Sequence, residues 1–450
     1  MTAADVQDRL TDVAARAIGR ARALGADAAD AVIVESTSLS VTCRLGRREE
    51  VERSETRDMG LRVFVGDRHA TVSTNDFSTD TLDALARRAV AMARAAPEDP
   101  YAGLAPPERL ARHWPDLDLF DDSEPDAEVL LALALEAEEA ARAVAGITNS
   151  LGASASASRG GIVLATTNGF LGASRSSGFS LSCAVVAGEG TAMERDHDSV
   201  TTRHFADLRP PADIGRTAGE RAVRRLGARK VASARVPVVY DPRVSRGLLG
   251  HLAGAISGAA VARGTSFLKD AMGTRVMADG MTVIDDPHRP RGLSSRPFDG
   301  EGVATSRMEV VCDGRLATWL LDCRSARQLG LETTGHASRG IGGPPSPAPS
   351  NLYLAPGTMG PEDLVADIAS GFYVTDLMGM GANLVTGDYS RGAAGFWIEN
   401  GEIAWPVSEV TIAGNLKDMF LNLVPANDLE FRYGINAPTV RVEGMTVAGT

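Results

Sequence analysis

Cysteine and lysine are scarce in this sequence, and it has no long apolar run. The four cysteines lie far apart without a CxxC pair, which argues against a disulfide framework or a zinc ribbon and leaves buried or incidental thiols. With three lysines and no GxxxxGKS or GxxxxGKT segment, P-loop chemistry is excluded. The sequence has no run of about 18 apolar residues, which is the length needed to span a bilayer. Its N-terminus is polar and acidic, whereas a signal peptide begins with basic residues and continues with apolar ones. We therefore expect a cytoplasmic protein.

Positive charge is also in deficit. The 46 Lys and Arg residues face 58 Asp and Glu residues, which gives a net charge of −12. Nucleic acid phosphates and anionic lipid headgroups repel a chain with this balance, so we expect no direct contact with nucleic acid or membrane. With 450 residues, of which 44% are hydrophobic and 23% charged, the chain is long enough for two or three domains with real cores.

The order of helical and alternating apolar patterns predicts an α+β fold in three segments. These are an N-terminal α+β domain of helices and antiparallel sheet (1–115), a middle segment of helix and small-residue strands packed with the first (116–230), and a strand-rich, barrel-like C-terminal domain (231–450). In the last segment, Asn400-Gly401 lies between the alternating apolar residues of WIENGEIAW. This pattern predicts a tight type I′ hairpin.

The N-terminal and middle segments contain their own helix and strand signals. Helical spacing occurs at about residues 4–24 and again at about 79–95. Between them, short alternating strands include AVIVE (31–35) and LSVTCR (39–44), which polar residues separate. After an acidic, proline-containing linker, Ser123 is the predicted cap of the middle helix.

The segment that follows the buried strand VPVVY predicts a helix that packs on the core. Asp241 supplies its cap and Pro242 its first-turn proline. An apolar stripe runs along one side and comprises Val244, Leu248, Leu249, Leu252, Ala253 and Ile256. Glycines line the adjoining face at Gly247, Gly250, Gly254 and Gly258. Because each glycine costs a helix about 1 kcal/mol relative to alanine, we expect another backbone to approach this face closely.

The seven histidines are scattered along the chain, and none of them forms an HxxxH or HExxH pair. His251, at the border of the glycine face, is the one that lies in the predicted helix. No GxSxG segment for a serine nucleophile is present either. From spacing alone, the helix is a tightly packed core helix with one histidine.

Five long blocks of sequence carry a resemblance to a known family. They are RGTSFLKD (263–270), FDGEGVAT (298–305), SNLYLAPG (350–357), GDYSRGAAGFWIENGEIAWPVSEVTIAGNLKDMF (387–420) and FRYGINAPTVRVEGMTVAG (431–449). In these blocks, and from TNDFS (74–78) onward, the chain closely resembles the TldD/PmbA family, whose older name is modulators of DNA gyrase. Because RGTSFLKD has the PmbA-type form, the chain is similar to the TldE (PmbA) kind of member.

The resemblance has a direct implication for metal chemistry. TldD-type chains are zinc peptidases with an HExxxH helix after a strand and a further cysteine ligand near the C-terminus. Here the HExxxH positions fall on Gly250, His251 and Ala255, and residues 427–440 contain no cysteine. Glycine and alanine have no donor atom, and a single imidazole cannot hold zinc where about three protein ligands are needed. The carboxylate base is missing too. We expect no catalytic residue, metal or cofactor in this chain, and zinc in its catalytic partner.

The resemblance further implies a non-catalytic subunit that forms a heterodimer with a TldD-type catalytic subunit and completes a chamber for unfolded or short peptides. A strand-rich domain suits this role, because an extended peptide can be held along a strand edge. The candidate residues for the peptide cleft or the partner interface lie around the predicted hairpin. They are Asp388, Tyr389, Ser390 and Arg391 in a loop before it, followed by Phe396, Trp397, Glu399 and Asn400.

Three alternatives remain open at the level of sequence. A relocated metal site could use His251 with His204, His336 or Cys323. The chain could be a peptidase-independent binding protein that modulates gyrase or a toxin–antitoxin system. It could also act as a homodimer with a ligand of its own.

Overall fold

One six-stranded antiparallel sheet forms the base of the N-terminal half. The computed structural model of the chain describes residues 3–449. The strands of this sheet are β1 (Ala28–Arg44), β2 (Arg47–Val65), β3 (Arg68–Thr74), β4 (Ile147–Thr166), β5 (Leu171–Ala187) and β6 (Glu194–Thr202). They lie in the order β3-β2-β1-β4-β5-β6. Ile33 of β1 is opposite Met59 on one side and Val163 on the other, so the N-terminal and middle segments share a single sheet.

Helices cover one face of this sheet. They are α1 (Ala3–Ala23), α2 (Thr79–Ala95), α3 (Ala127–Arg142) and α4 (Pro211–Arg224). Because side chains alternate between the two faces of a strand, the odd-numbered residues of β1 meet these helices. Ala31 and Ile33 pack with α1 and α2, whereas Val41 and Cys43 pack with α3 and α4. The opposite face, with Val32, is free to receive the C-terminal half.

Two local predictions for this half need correction. The segments 31–35 and 39–44 belong to the single strand β1, because β2 and β4 pair with it along both edges and carry the extended chain through the polar residues between them. The cap of α3 is Asp126, whose carboxylate accepts the backbone N–H groups of Glu128 and Val129, and not Ser123. The helix α2 begins and ends as predicted.

The C-terminal half is rich in strands, as predicted. In chain order its elements are β7 (Ala234–Tyr240), α5 (Pro242–Ala255), α6 (Gly258–Ala262), β8 (Val283–Asp285), β9 (Met308–Cys312), β10 (Arg315–Leu316), α7 (Cys323–Leu329), β11 (Ala337–Ser338), β12 (Ser346–Pro347), β13 (Leu352–Leu354), α8 (Asp363–Ala366), β14 (Ser370–Met378), β15 (Asp388–Glu399), β16 (Glu402–Asn415), α9 (Leu416–Leu421), β17 (Leu423–Pro425), β18 (Ile435–Asn436) and β19 (Val440–Ala448). Short 3-10 turns lie in the first half at Pro107–Arg109, Gly190–Ala192 and Phe205–Asp207.

A closed ring of five strands confirms the predicted barrel. The strands β16, β15, β14, β7 and β19 pair in that order, and β16 pairs again with β19 through Thr411 opposite Ala448. Fully buried aromatic rings, including those of Tyr240 and Phe372, belong to the core of this half. Asn400 and Gly401 both have positive φ angles, 50° and 82°, between β15 and β16. These angles confirm the type I′ hairpin.

The two halves meet over the even-numbered face of β1 and β4. Val32 and Leu164 of that face form one apolar cluster with Phe298 of the C-terminal half. Charged groups are buried nearby, since Nε of Arg62 donates to Asp30 at 2.9 Å and Arg339 also pairs with Asp30. The junction is therefore a packed interior that contains ionised groups. Within residues 3–449, no helix has the length and the apolar composition needed to cross a bilayer.

Candidate functional site

The helix with the degenerate zinc motif is α5, which follows the buried strand β7. The carboxylate of Asp241 accepts the backbone N–H of Arg243 at 2.9 Å, so the predicted cap is confirmed. Leu248, Leu249 and Leu252 are at most 2% exposed and lie in the core, as their spacing predicted. Through this stripe α5 packs against β7, β13, β14 and β18.

The glycine face of α5 differs from the prediction. Among the described residues, no heavy atom outside the helix lies within 4 Å of the place where a Cβ of Gly247 or Gly250 would stand. The Gly254 position meets a side chain, Leu384 Cδ1 at 2.8 Å. Only Gly258, which begins the separate helix α6, meets a backbone atom, the carbonyl oxygen of Leu320 at 2.9 Å. The expectation of close backbone approach was therefore wrong for most of this face, which is open at its first two glycines.

The three positions of the zinc motif offer little that could hold a metal. Gly250 and Ala255 have no donor atom, and Ala255 is fully buried. The His251 ring is half-buried, with its centroid 5.8 Å from that of Tyr389. Burial, and then the guanidinium of Arg391, lower the pKa of His251, so its imidazole is neutral at pH 7. The residues at α5 do not fit a zinc ion.

Tyr389 and Arg391 lie next to His251 of α5. Tyr389 is 2% exposed and is hydrogen-bonded to the fully buried Tyr240, and burial is the main reason that the pKa of each phenol is raised. Arg391 donates to the carbonyl of Leu377 at 3.4 Å, while its buried Nε has no hydrogen-bond partner in the described part of the chain. The charge next to His251 is therefore positive, where a peptidase of this kind would hold its zinc ion.

The residues that precede the hairpin belong to a strand and not to the predicted loop. Asp388, Tyr389, Ser390 and Arg391 are the first residues of β15, because they pair with residues 412–415 of β16. Asp388 is exposed, and hydrogen bonds from Thr386 and Asn415 lower the pKa of its carboxyl group. Ser390 is exposed as well, and its backbone N–H donates to Gly381.

The other candidate residues lie toward the far end of β15. Arg224 lies over the Phe396 ring at 4.5 Å, and Trp397 stacks on Trp405 with ring centroids 6.0 Å apart. Glu399 is exposed where the strand ends, and Asn400 is in the turn. At about 3.4 Å per residue, Arg391 and Trp397 are about 20 Å apart along the strand. The structure thus places Tyr389 and Arg391 next to α5. The four candidates later in the sequence, from Phe396 to Asn400, lie away from this helix.

The side chains considered for a relocated metal site are engaged elsewhere. His336 is buried and contacts Asp285 Oδ2 at 3.1 Å, whereas His204 contacts the carbonyl of Asp118 at 3.0 Å. Burial raises the pKa of the Cys323 thiol strongly, which disfavours a thiolate ligand. Throughout the described residues, no three His, Cys, Asp or Glu side chains are placed to hold a metal ion together. The structure does not assemble the relocated site.

Sequence reasoning missed the buried charges at the junction of the two halves. Asp30, Arg62 and Arg339 come from distant parts of the chain, and their side chains are at most 6% exposed. One signal was present, because Asp30 interrupts an otherwise apolar strand, Ala28–Val34. A charge within such a run indicates a buried partner.

Comparisons with known proteins agree with this architecture. Three family models match the chain: "PmbA/TldA metallopeptidase domain 1" over residues 29–93, the "central domain" of the same family over 120–226, and its "C-terminal domain" over 233–449. The chain belongs to the PmbA/TldD family. Metalloprotease PmbA of Escherichia coli O157:H7 is 41% identical over 94% of this chain and 92% of its own length. The Haemophilus influenzae homologue of PmbA is 38% identical over the same shares.

Solved structures with this fold extend over nearly the whole chain. A Bacteroides thetaiotaomicron protein named as a modulator of DNA gyrase superposes with a TM-score of 0.90 at 29% identity, over 98% of this chain and 99% of that one. TldE of Thermococcus kodakarensis shares the fold, with a TM-score of 0.87 at 19% identity, over 97% of this chain and 100% of that one. The PmbA/TldD architecture is thus shared at the level of all three segments.

Proposed function

We propose that this chain is the non-catalytic, TldE/PmbA-like subunit of a heteromeric zinc metallopeptidase that processes peptides in the cytoplasm. The observation that carries the proposal is the composition of α5, where Gly250, His251 and Ala255 replace the ligands and the general base. A zinc peptidase needs about three protein ligands and a carboxylate that takes a proton from the bound water. In this proposal a TldD-type partner supplies all of them, and this chain supplies part of the peptide chamber.

The open side of α5 supports a role in peptide contact. Gly247 and Gly250 leave room along the helix, and Tyr389 and Arg391 lie next to His251, which follows Gly250 in the chain. Both edges of β15 are paired within the closed ring, so a peptide cannot extend the barrel there by adding a strand. We therefore place the peptide along the glycine side of α5, with the Arg391 guanidinium attracting its carboxylates.

An exposed apolar loop next to α5 is suited to docking the partner subunit. In the loop between β14 and β15, Met380 is fully exposed and Val385 is 55% exposed, and Met378 at the end of β14 is 49% exposed. Leu384 of the same loop contacts Gly254 of α5. Exposed apolar groups in one segment are typical of protein interfaces. The partner would then cover this loop and close the open side of α5.

The decisive experiment measures zinc and peptidase activity in the separate and combined chains. This chain alone should contain no stoichiometric zinc by elemental mass spectrometry and should cleave no peptide. Addition of a TldD-type subunit should give a heterodimer in sedimentation and a zinc-dependent peptidase. Met380→Asp should weaken the heterodimer, whereas Met359→Asp, at an exposed methionine outside the loop, should leave it intact.

Three outcomes would contradict the proposal. Stoichiometric zinc that disappears on His251→Ala would restore this chain as an enzyme in its own right. A stable complex with gyrase in the absence of any peptidase subunit would favour the binding-protein alternative. A homodimer that a TldD-type chain cannot disrupt would favour the third alternative.

A further inference from the structure

A cavity of about 400 Å³ lies at the junction of the two halves, apart from the site at α5. One wall is apolar and comes from the first sheet, with Val32, Val34, Ile162 and Leu164. The opposite wall is formed by residues 295–300 and 337–339 of the C-terminal half. None of the lining residues belongs to α5. The volume is in the range of pockets that bind small molecules, which starts at roughly 300 Å³.

Two arginines line this cavity without a salt bridge in the described part of the chain. Arg203 donates to three backbone carbonyls, and Arg296 donates to the carbonyls of Ala337 and Ala348 at 3.3 and 2.8 Å. Within the described residues, neither guanidinium forms an ion pair with a carboxylate. Nε of Arg296 is buried and has no hydrogen-bond partner there. Burial lowers the pKa of both arginines, although the carboxylates of Asp285 and Asp299 oppose this effect at Arg296.

A third arginine of the lining, Arg339, shares its acidic partner with another arginine. Its side chain is 1% exposed and pairs through Nη1 with Asp30, whose carboxylate also accepts hydrogen bonds from Arg62. Two guanidiniums thus share one carboxylate, and the buried Glu301 is a further acidic group close to both of them. Nε and Nη2 of Arg339 are buried and without hydrogen-bond partners among the described residues. Donors of this kind are costly to bury unless an acceptor meets them.

Among the described residues, the acidic groups of the lining form no ion pair with these arginines. The carboxylate of Asp299 accepts the backbone N–H groups of Glu301, Val303 and Ala337 at 2.8, 2.8 and 3.1 Å. Burial and the neighbouring Glu301 raise the pKa of Asp299 to about 7. Glu35 is paired with Arg57 at 2.6 Å. The lining therefore has three basic side chains and two acidic ones, together with the apolar wall of the first sheet.

We infer that this cavity binds the carboxylate of an organic acid with an apolar body, with Arg296 and Arg339 holding the carboxylate. The planar guanidinium is suited to a carboxylate because its N–H groups can donate two parallel hydrogen bonds. Val32, Ile162 and Phe298 would contact the apolar part. The acid can be the C-terminus of a peptide or a free small acid. This site goes beyond the proposed function, because it requires neither zinc nor a partner subunit.

The test is calorimetric titration of the full chain alone with three probes. These are the tripeptide Ala-Ala-Phe, its C-terminal amide, and 4-phenylbutyrate as a small acid. We expect at least one acid to bind, and the amide to bind about 10 to 100-fold more weakly than the free tripeptide, because it lacks the charge-assisted hydrogen bonds. Binding of the tripeptide identifies a peptide terminus as the ligand. Binding of 4-phenylbutyrate alone upholds the carboxylate site and assigns it to small acids.

Variants connect the binding to this cavity. Arg296→Gln should weaken acid binding about 10 to 100-fold. Arg296→Lys should bind the acid with an affinity between those of Arg296→Gln and the unmodified chain, because lysine keeps the positive charge but lacks the planar guanidinium. Ser176→Trp should abolish binding by filling the cavity from β5, without removing any arginine. The matched control Arg53→Gln removes an exposed arginine of β2 that is outside the cavity and should leave binding unchanged.

Three results would overturn the inference. The first is the absence of binding by both acids at millimolar concentration. The second is equal binding of tripeptide and amide. The third is binding that both Arg296→Gln and Ser176→Trp leave unaltered. Thermal melting of each variant separates loss of binding from loss of folding. If Arg296→Gln does not fold, Ser176→Trp provides the test of the cavity.

Discussion

The shared carboxylate at the junction of the two halves makes a strong prediction about stability. Asp30 is the acidic partner of both Arg62 and Arg339, and the three side chains are 2%, 6% and 1% exposed. Burial alone would raise the pKa of Asp30, but the guanidiniums of Arg339 and Arg62 hold it below its usual value. The carboxylate is therefore ionised at pH 7, and Asp30→Asn would leave two buried guanidiniums without the carboxylate that they share.

The expected loss is large because the group is buried. Removing one member of a buried ion pair costs about 3–5 kcal/mol, mainly because the remaining charge stays in a medium that solvates it poorly. A domain is stable by only about 5–15 kcal/mol, so Asp30→Asn should remove a substantial part of this margin. The exposed pair of Arg53 and Glu55 provides the control, and Glu55→Gln should cost at most about 1 kcal/mol.

The assay is urea unfolding at pH 7, with hydrogen exchange of the β1 amides as a local measure, because a chain of this size need not unfold in one step. The double variant Asp30→Asn/Arg339→Met should regain part of the loss, since it removes one of the stranded charges. Asp30 has a lowered pKa in the folded chain, so its stabilisation is complete above the unfolded pKa of about 4 and is lost as the pH falls through the folded value. If Asp30→Asn costs no more than Glu55→Gln at pH 7, the reasoning about the junction is refuted.

Three further predictions concern single positions. The raised pKa of Asp299 means that the folded chain binds a proton more tightly than the unfolded chain. The free energy of unfolding should therefore fall as the pH rises from about 4 to 7. In Asp299→Asn, the midpoint of urea unfolding should decrease less over this pH range. Gly250→Ala should stabilise the chain by about 0.5–1 kcal/mol in thermal melts, whereas Gly258→Ala should destabilise it, because its Cβ would be 2.5 Å from a leucine methyl group. Asp126→Ala should cost about 1 kcal/mol by loss of the α3 cap, and Ser123→Ala less than half of that; equal losses would contradict the cap assignment.

Local signals in the sequence were sufficient for the elements that local interactions define. The cap at Asp241, the leucine stripe of α5 and the Asn400-Gly401 turn each depend on residues a few positions apart, and the structure confirms all three. The length of β1 was underestimated because pairing with β2 and β4, far away in sequence, sustains the strand through polar residues. Propensity is a weak guide where tertiary pairing decides.

The candidate site was only partly accessible to the same reasoning. The motif positions identified α5, but the spacing of glycines could not show which of them face open space and which face a neighbour. The positions Gly247 and Gly258 differ in this respect because Leu320, Leu321 and Ser325 lie close to Gly258. The arginine cavity could not be foreseen, because Arg203, Arg296 and Arg339 meet only when the two halves pack.

The closed ring of β7, β14, β15, β16 and β19 also constrains the order of folding. β19 must pair with both β7 and β16 to complete the barrel, and about 200 residues separate Tyr240 at the end of β7 from Val440 at the start of β19. The sheet of the N-terminal half is complete at Thr202, so it can form while the rest of the chain is still being synthesised. The barrel must wait for its last strand, and contacts over such a sequence separation form slowly. Until then, the edges of β7 and β16 stay exposed on the ribosome, and this interval is when the chain is most vulnerable to misassembly.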